Sequence, residues 1–77
     1  MSPSRLEMPD HATERLKQRR ITRQQVRECL FKGTLVGTDI RGRMVNEKTI
    51  GKKVLVVIYL VVVGGHVIVT AYWKGRE

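Results

Sequence analysis

Residues 54 to 73 read Val-Leu-Val-Val-Ile-Tyr-Leu-Val-Val-Val-Gly-Gly-His-Val-Ile-Val-Thr-Ala-Tyr-Trp, and the fold turns on how this stretch is placed. The apolar run Val54 to Val63 is ten residues long, half of the roughly twenty that an α-helix needs to cross a bilayer. Extending it means passing through Gly64, Gly65 and His66. Its β-branched composition favours a strand instead. Gly64-Gly65 then supplies a two-residue turn tolerant of positive φ, from which Val67 to Trp73 returns antiparallel. With both glycines in the loop, Val63 opposes His66, Val61 opposes Ile68, Tyr59 opposes Thr70 and Val57 opposes Tyr72, all on one face. The other face holds Val62, Leu60, Ile58 and Val56 against Val67, Val69, Ala71 and Trp73. This second face is wholly apolar and is expected beneath helices. The first, carrying Tyr59, His66, Thr70 and Tyr72, is expected to be the functional surface.

Toward the N-terminus, Gly51 interrupts the pattern, Arg41 to Lys48 reads as a polar edge strand, and Thr34-Leu35-Val36-Gly37 as a short strand. Two helices precede them. Thr22 and Gln25 stand at capping-box spacing, with Ile21 and Val26 placed as a hydrophobic staple. Val26, Cys29 and Leu30 recur at i, i+3, i+4, and Gly33 is placed to end the helix in a left-handed conformation, so the helix spans about Arg23 to Lys32. An earlier helix starts at Pro9-Asp10, with Asp10 as N-cap, Ala12 and Leu16 as its buried stripe, and Arg15, Lys17 and Arg19 opposite. Residues 1–8, polar and proline-containing, read as a flexible N-terminal tail before a single domain over 9–77. The class is α+β: two N-terminal helices packed on a three- to four-stranded antiparallel sheet.

The 77 residues carry fifteen Lys and Arg against seven Asp and Glu, a net charge of +8. A field of that size on one small core concentrates polyanions, so nucleic acid or an acidic protein is the expected partner. The single cysteine, Cys29, permits no intramolecular disulfide and is read as a small core residue in a cytoplasmic protein. No signal-peptide stretch is read at the N-terminus, and no membrane partner is expected. One cysteine and two histidines lack metal-ligand spacing, glycine-rich nucleotide loops are missing, and paired glycosidase carboxylates are not evident. No cofactor is expected.

Phosphodiester chemistry or plain binding remains. RNA cleavage without metal needs an acid, a base and cations around phosphate. His11 and Tyr72 are the candidate proton-transfer residues, His11 lying one helical turn before Arg15. Tyr72 is equally suited to stack on a base. Arg15, Arg19, Arg41, Arg43, Lys52, Lys53 and Thr70 are the candidate phosphate contacts, with Lys48 beside the middle cluster.

The order His11-Ala12, Arg15, Arg19, Ile21-Thr22, Val26, Gly33, and a Val-rich hairpin closing on Ile68-Val69-Thr70-Ala71-Tyr72 resembles the family called domain of unknown function 4258 over about residues 9 to 74. That family is similar in architecture to the BrnT and RelE-type ribonuclease toxins, whose two helices pack on an antiparallel sheet. The resemblance implies a RelE-like fold, RNA as substrate or ligand, and functional roles for His11, Arg15, Arg19, Thr70 and Tyr72. Arg20 stands where a small residue, often glycine, is common. The readings in competition are a metal-independent endoribonuclease of toxin type, a non-catalytic nucleic-acid-binding module, and a protein-interaction domain for an acidic antitoxin-like partner. A homodimer is compatible with each.

Overall fold

The computed structural model describes residues 5–75. Its elements are β1 Arg5–Glu7, α1 Asp10–Gln18, α2 Arg23–Lys32, β2 Thr34–Thr38, β3 Met44–Ile50, β4 Lys53–Val62 and β5 Gly65–Lys74. One five-stranded sheet runs in the order β1-β5-β4-β3-β2. Its pairings are antiparallel except for β1, which lies parallel to β5 with Leu6 beside His66. The sheet is therefore mixed and has more strands than expected. The added strand comes from the segment read as tail: Leu6 is buried in the core, and burial of one leucine between charged neighbours is a signal three residues long, too short for periodicity to reveal. Residues 1–4 of that segment lie outside the described residues.

The helix signals act locally and reappear with small changes. Thr22 Oγ1 accepts from the Gln25 amide at 3.0 Å, and Gln25 Oε1 accepts from the Thr22 amide at 3.0 Å, completing the capping box. Ile21 and Val26 are both buried at the helix start. In α1 the N-cap is Pro9, and Asp10 is the first helical residue. Gly33 is extended rather than left-handed, with φ −85° and ψ −171°. Its reason is space, because a Cβ there would lie 2.3 Å from the Cys29 carbonyl oxygen and 2.7 Å from that of Glu47. The left-handed cap belongs to α1 instead. Ile21 N–H donates to the Leu16 carbonyl at 2.9 Å and Arg20 N–H to that of Lys17 at 3.2 Å, a Schellman ending that sets Arg20 at φ 59°.

The β4–β5 hairpin corrects the sequence reading in two places. Val63 and Gly64 form the turn, so Val62 faces Gly65, Val61 faces His66 and Tyr59 faces Ile68. A bulge then inserts Val69, after which Ile58 faces Thr70, Val57 faces Ala71 and Val56 faces Tyr72. The inserted residue moves the end of β5 by one face relative to β4. Val57, Tyr59, Ile68 and Ala71 consequently lie in the core with Leu55, while Thr70 and Tyr72 join Val56, Ile58, Leu60 and Val62 on the other side.

Both helices cover the face of Val57, Tyr59, His66 and Ile68 that was expected to be functional, together with Ala71 and Trp73 of the apolar set, and the rest of that set is left open with Thr70 and Tyr72. Polar satisfaction explains the choice. Asn46, 4% exposed, donates through Nδ2 to the Cys29 and Leu30 carbonyls at 3.2 and 3.1 Å, while its Oδ1 accepts from the Tyr59 hydroxyl at 2.9 Å. Those carbonyls belong to the last turn of α2, where that of Cys29 also accepts from the Gly33 amide at 3.0 Å. The face presenting Asn46 and Tyr59 offers them a buried amide donor whose own oxygen is satisfied in turn.

Candidate polyanion-binding cleft

The C-terminal end of α1 is fastened to the edge of β5 that β1 leaves unpaired beyond Val67. Arg19 donates from Nη1 to the Ala71 carbonyl at 2.8 Å and to Thr70 Oγ1 at 3.2 Å. Trp73 returns a bond from Nε1 to the Arg19 carbonyl at 2.9 Å. An arginine is suited to this position because its planar fork keeps further donors free after two are used.

Beside this clamp opens a cleft of about 470 Å³ lined by Gln18, Arg19, Arg20, Lys53, Tyr72 and Trp73. Lys53 Nζ stands 5.3 Å from the Trp73 ring centroid, which holds its charge over the aromatic face. Tyr72 is 40% exposed. Three cationic residues and two aromatic rings thus share one concavity, and among the described residues no carboxylate lines it. Arg20 reaches it from a left-handed backbone that glycine adopts more cheaply.

Of the residues singled out from sequence, Arg19, Lys53 and Tyr72 meet here, with Thr70 tied to Arg19. Lys52 adjoins them in the β3–β4 turn. His11 and Arg15 are exposed on α1 and do not line the cleft. Seven residues separate His11 from Gln18, about 10 Å along a helix. Arg41 and Arg43 flank the β2–β3 turn at the other end of β3, a strand of seven residues and so about 20 Å long. Arg43 is already engaged by Asp39 at 2.8 Å. The basic cluster read along the sequence is therefore split between the two ends of the sheet. His66, expected on the functional face, is packed edge-on against Phe31 and Tyr59 at 5.4 and 5.5 Å.

Gln18, Arg20 and Trp73 were not singled out as site residues. Arg20 carried a readable signal: Leu16 and Ile21 bracket a helix end, and the residue before Ile21 falls at the left-handed position. Trp73, by contrast, depends on the bulge at Val69, which no residue type announces. Among the described residues no group of three or more His, Cys, Asp or Glu is gathered to hold a metal, and no helix is long and apolar enough to cross a membrane.

The family model described as Domain of unknown function (DUF4258) matches residues 8–73. No curated protein and no solved structure matches the chain. A match over this much of its length places the chain in that family.

Proposed function

We propose that this member of the DUF4258 family binds RNA in the cleft between α1 and the end of the β4–β5 hairpin. The observation that carries the reading is the convergence of Arg19, Arg20 and Lys53 on one concavity with Tyr72 and Trp73 and, among the described residues, without a carboxylate. Phosphate is held by the arginine donors and the lysine charge, while the half-exposed Tyr72 ring offers a stacking surface to an unpaired base. Phosphate contact of this kind carries little sequence information, so affinity is salt-dependent and sequence-tolerant.

Titrating a labelled single-stranded RNA at several salt concentrations tests this. Affinity should fall linearly on a log–log plot, and Arg20→Ala or Lys53→Ala should each flatten the slope by about 0.7. Arg41→Ala, at the far end of the sheet, should change it less. Salt-independent binding, or a slope untouched by the Arg20 and Lys53 changes together, would remove the proposal.

The resemblance to RelE and BrnT toxins adds turnover as an extension of the same site. Of the two proton-transfer candidates, only Tyr72 lines the cleft. Incubation with RNA in EDTA decides the point: products that vanish in Tyr72→Phe support metal-independent cleavage, and intact RNA leaves a binding module. An acidic antitoxin-like protein is the other polyanion this cleft could accept, and it should then compete with RNA for binding.

A further inference from the structure

The sheet has one face under the helices and one uncovered. Val36, Leu60 and Val62 on the uncovered side are 52%, 42% and 43% exposed, and by register Val45, Val54, Ile58 and Val67 continue the same apolar field. Among the described residues no element packs on it. Its centre is sealed by its own side chains. Lys74 Nζ on β5 reaches Glu47 Oε2 on β3 at 3.1 Å, an ion pair that crosses over β4, and Val56 beneath it is only 1% exposed. An apolar field across four strands exceeds what a solitary soluble domain normally shows to water.

The charges decide what covers it. On this face Lys74 is paired with Glu47, and Arg5 with Glu7 at 2.9 Å, so the face is neutral. The surplus lies elsewhere: Arg15, Lys17, Arg19, Arg20, Arg23, Arg27 and Lys32 belong to the helical half. A polyanion or an acidic protein is drawn to that half. What fits a neutral field of Val, Ile and Leu is a second field of the same kind, and the chain supplies one in its own copy. Strands β2 to β5, of five, seven, ten and ten residues and about 4.8 Å apart, give roughly 500 Å² per copy, which is the size of a weak interface rather than the ~800 Å² per partner of a standard one. The helices of two such copies lie on the outer sides, so their like charges stand farther apart than a screening length of about 8 Å.

We infer that two copies of this chain pack sheet on sheet through the open face of β2 to β5, related by a two-fold axis. The assembly is a four-layer sandwich with helices outside, in which Arg19, Arg20 and Lys53 stay on the outer side and Tyr72, opposite Val56, lies at the border of the packed face. It does not depend on what the clefts bind.

Light scattering coupled to size exclusion, on the full chain at about 100 µM, tests the inference by mass action. The wild type should have twice the chain mass. Leu60→Glu with Val62→Glu, both on the open face, should halve that mass and keep the circular dichroism of the fold. Val61→Glu, between them but on the helix side and 62% exposed, should remain dimeric. A monomeric wild type overturns the inference. So does a dimer that survives the double change or dissociates only with Val61→Glu, and so does loss of a different bound protein in the double variant, which would assign the face to that protein.

Discussion

Asn46 is a single polar side chain on which two layers depend. It closes two carbonyls of α2 and the hydroxyl of Tyr59 in a buried site. Asn46→Ala should cost about 2–3 kcal/mol in urea unfolding, since buried groups are left unpaired on both sides. Asn46 was legible only as a polar residue of an edge strand; its importance arises from contacts across the chain with residues 29, 30 and 59, which no local pattern contains. Arg20 makes the opposite case. Its left-handed backbone costs 1–2 kcal/mol, partly offset by the entropy that glycine would lose. Arg20→Gly should therefore raise stability by about 0.5 kcal/mol while weakening RNA binding, a pairing of signs that joint denaturation and titration would reveal.

At the scale of elements, the signals that survived are those made within four or five residues. The capping box at Thr22 and Gln25, the stripe Val26, Cys29 and Leu30, and the strand run from Val54 all specify local structure, and α2 occupies the span read for it. The faces of the hairpin were not legible. The turn displaced to Val63-Gly64 slides the pairing by two residues and keeps the faces, whereas the bulge at Val69 is a single-residue event, and parity carries the residues after it to the other side of the sheet. The β2–β3 turn shows a different local device. Asp39 accepts from the Arg41 and Arg43 amides, each at 2.9 Å, and from the Arg43 guanidinium. The Arg43 amide bond is foremost in holding its carboxyl below the ordinary value of 3.8. The lowered value means that this support is present above pH 3.8 and is lost as pH falls through the folded value. Amide exchange at Arg41 and Arg43, after allowance for its intrinsic pH dependence, should lose protection in that acid range, and Asp39→Ala should remove the transition.

For the molecule as a whole, alkaline sensitivity follows from what the core contains. Burial pushes the Cys29 thiol up to about 11 from its ordinary 9.0, and burial likewise raises the Tyr59 hydroxyl. Both raised values mean that stability from the neutral forms is intact below the unfolded values and lost as pH rises through the folded ones. Thermal denaturation should hold steady up to about pH 9 and fall beyond it, with Cys29→Ala flattening the first part of the decline. The single core that joins α1, α2 and four strands explains why such a change is felt globally. One more property follows from the parallel pairing of Arg5 with Gly65. A ribosome releases β1 first, yet its docking edge belongs to the last strand made. Sixty residues must emerge before β1 has anything to bind, and β4, with β5 still in the tunnel, offers a bare edge in the meantime. Synthesis therefore passes through a stage in which Leu6 and the apolar β4 are both unprotected, and the arrival of β5 closes both exposures at once.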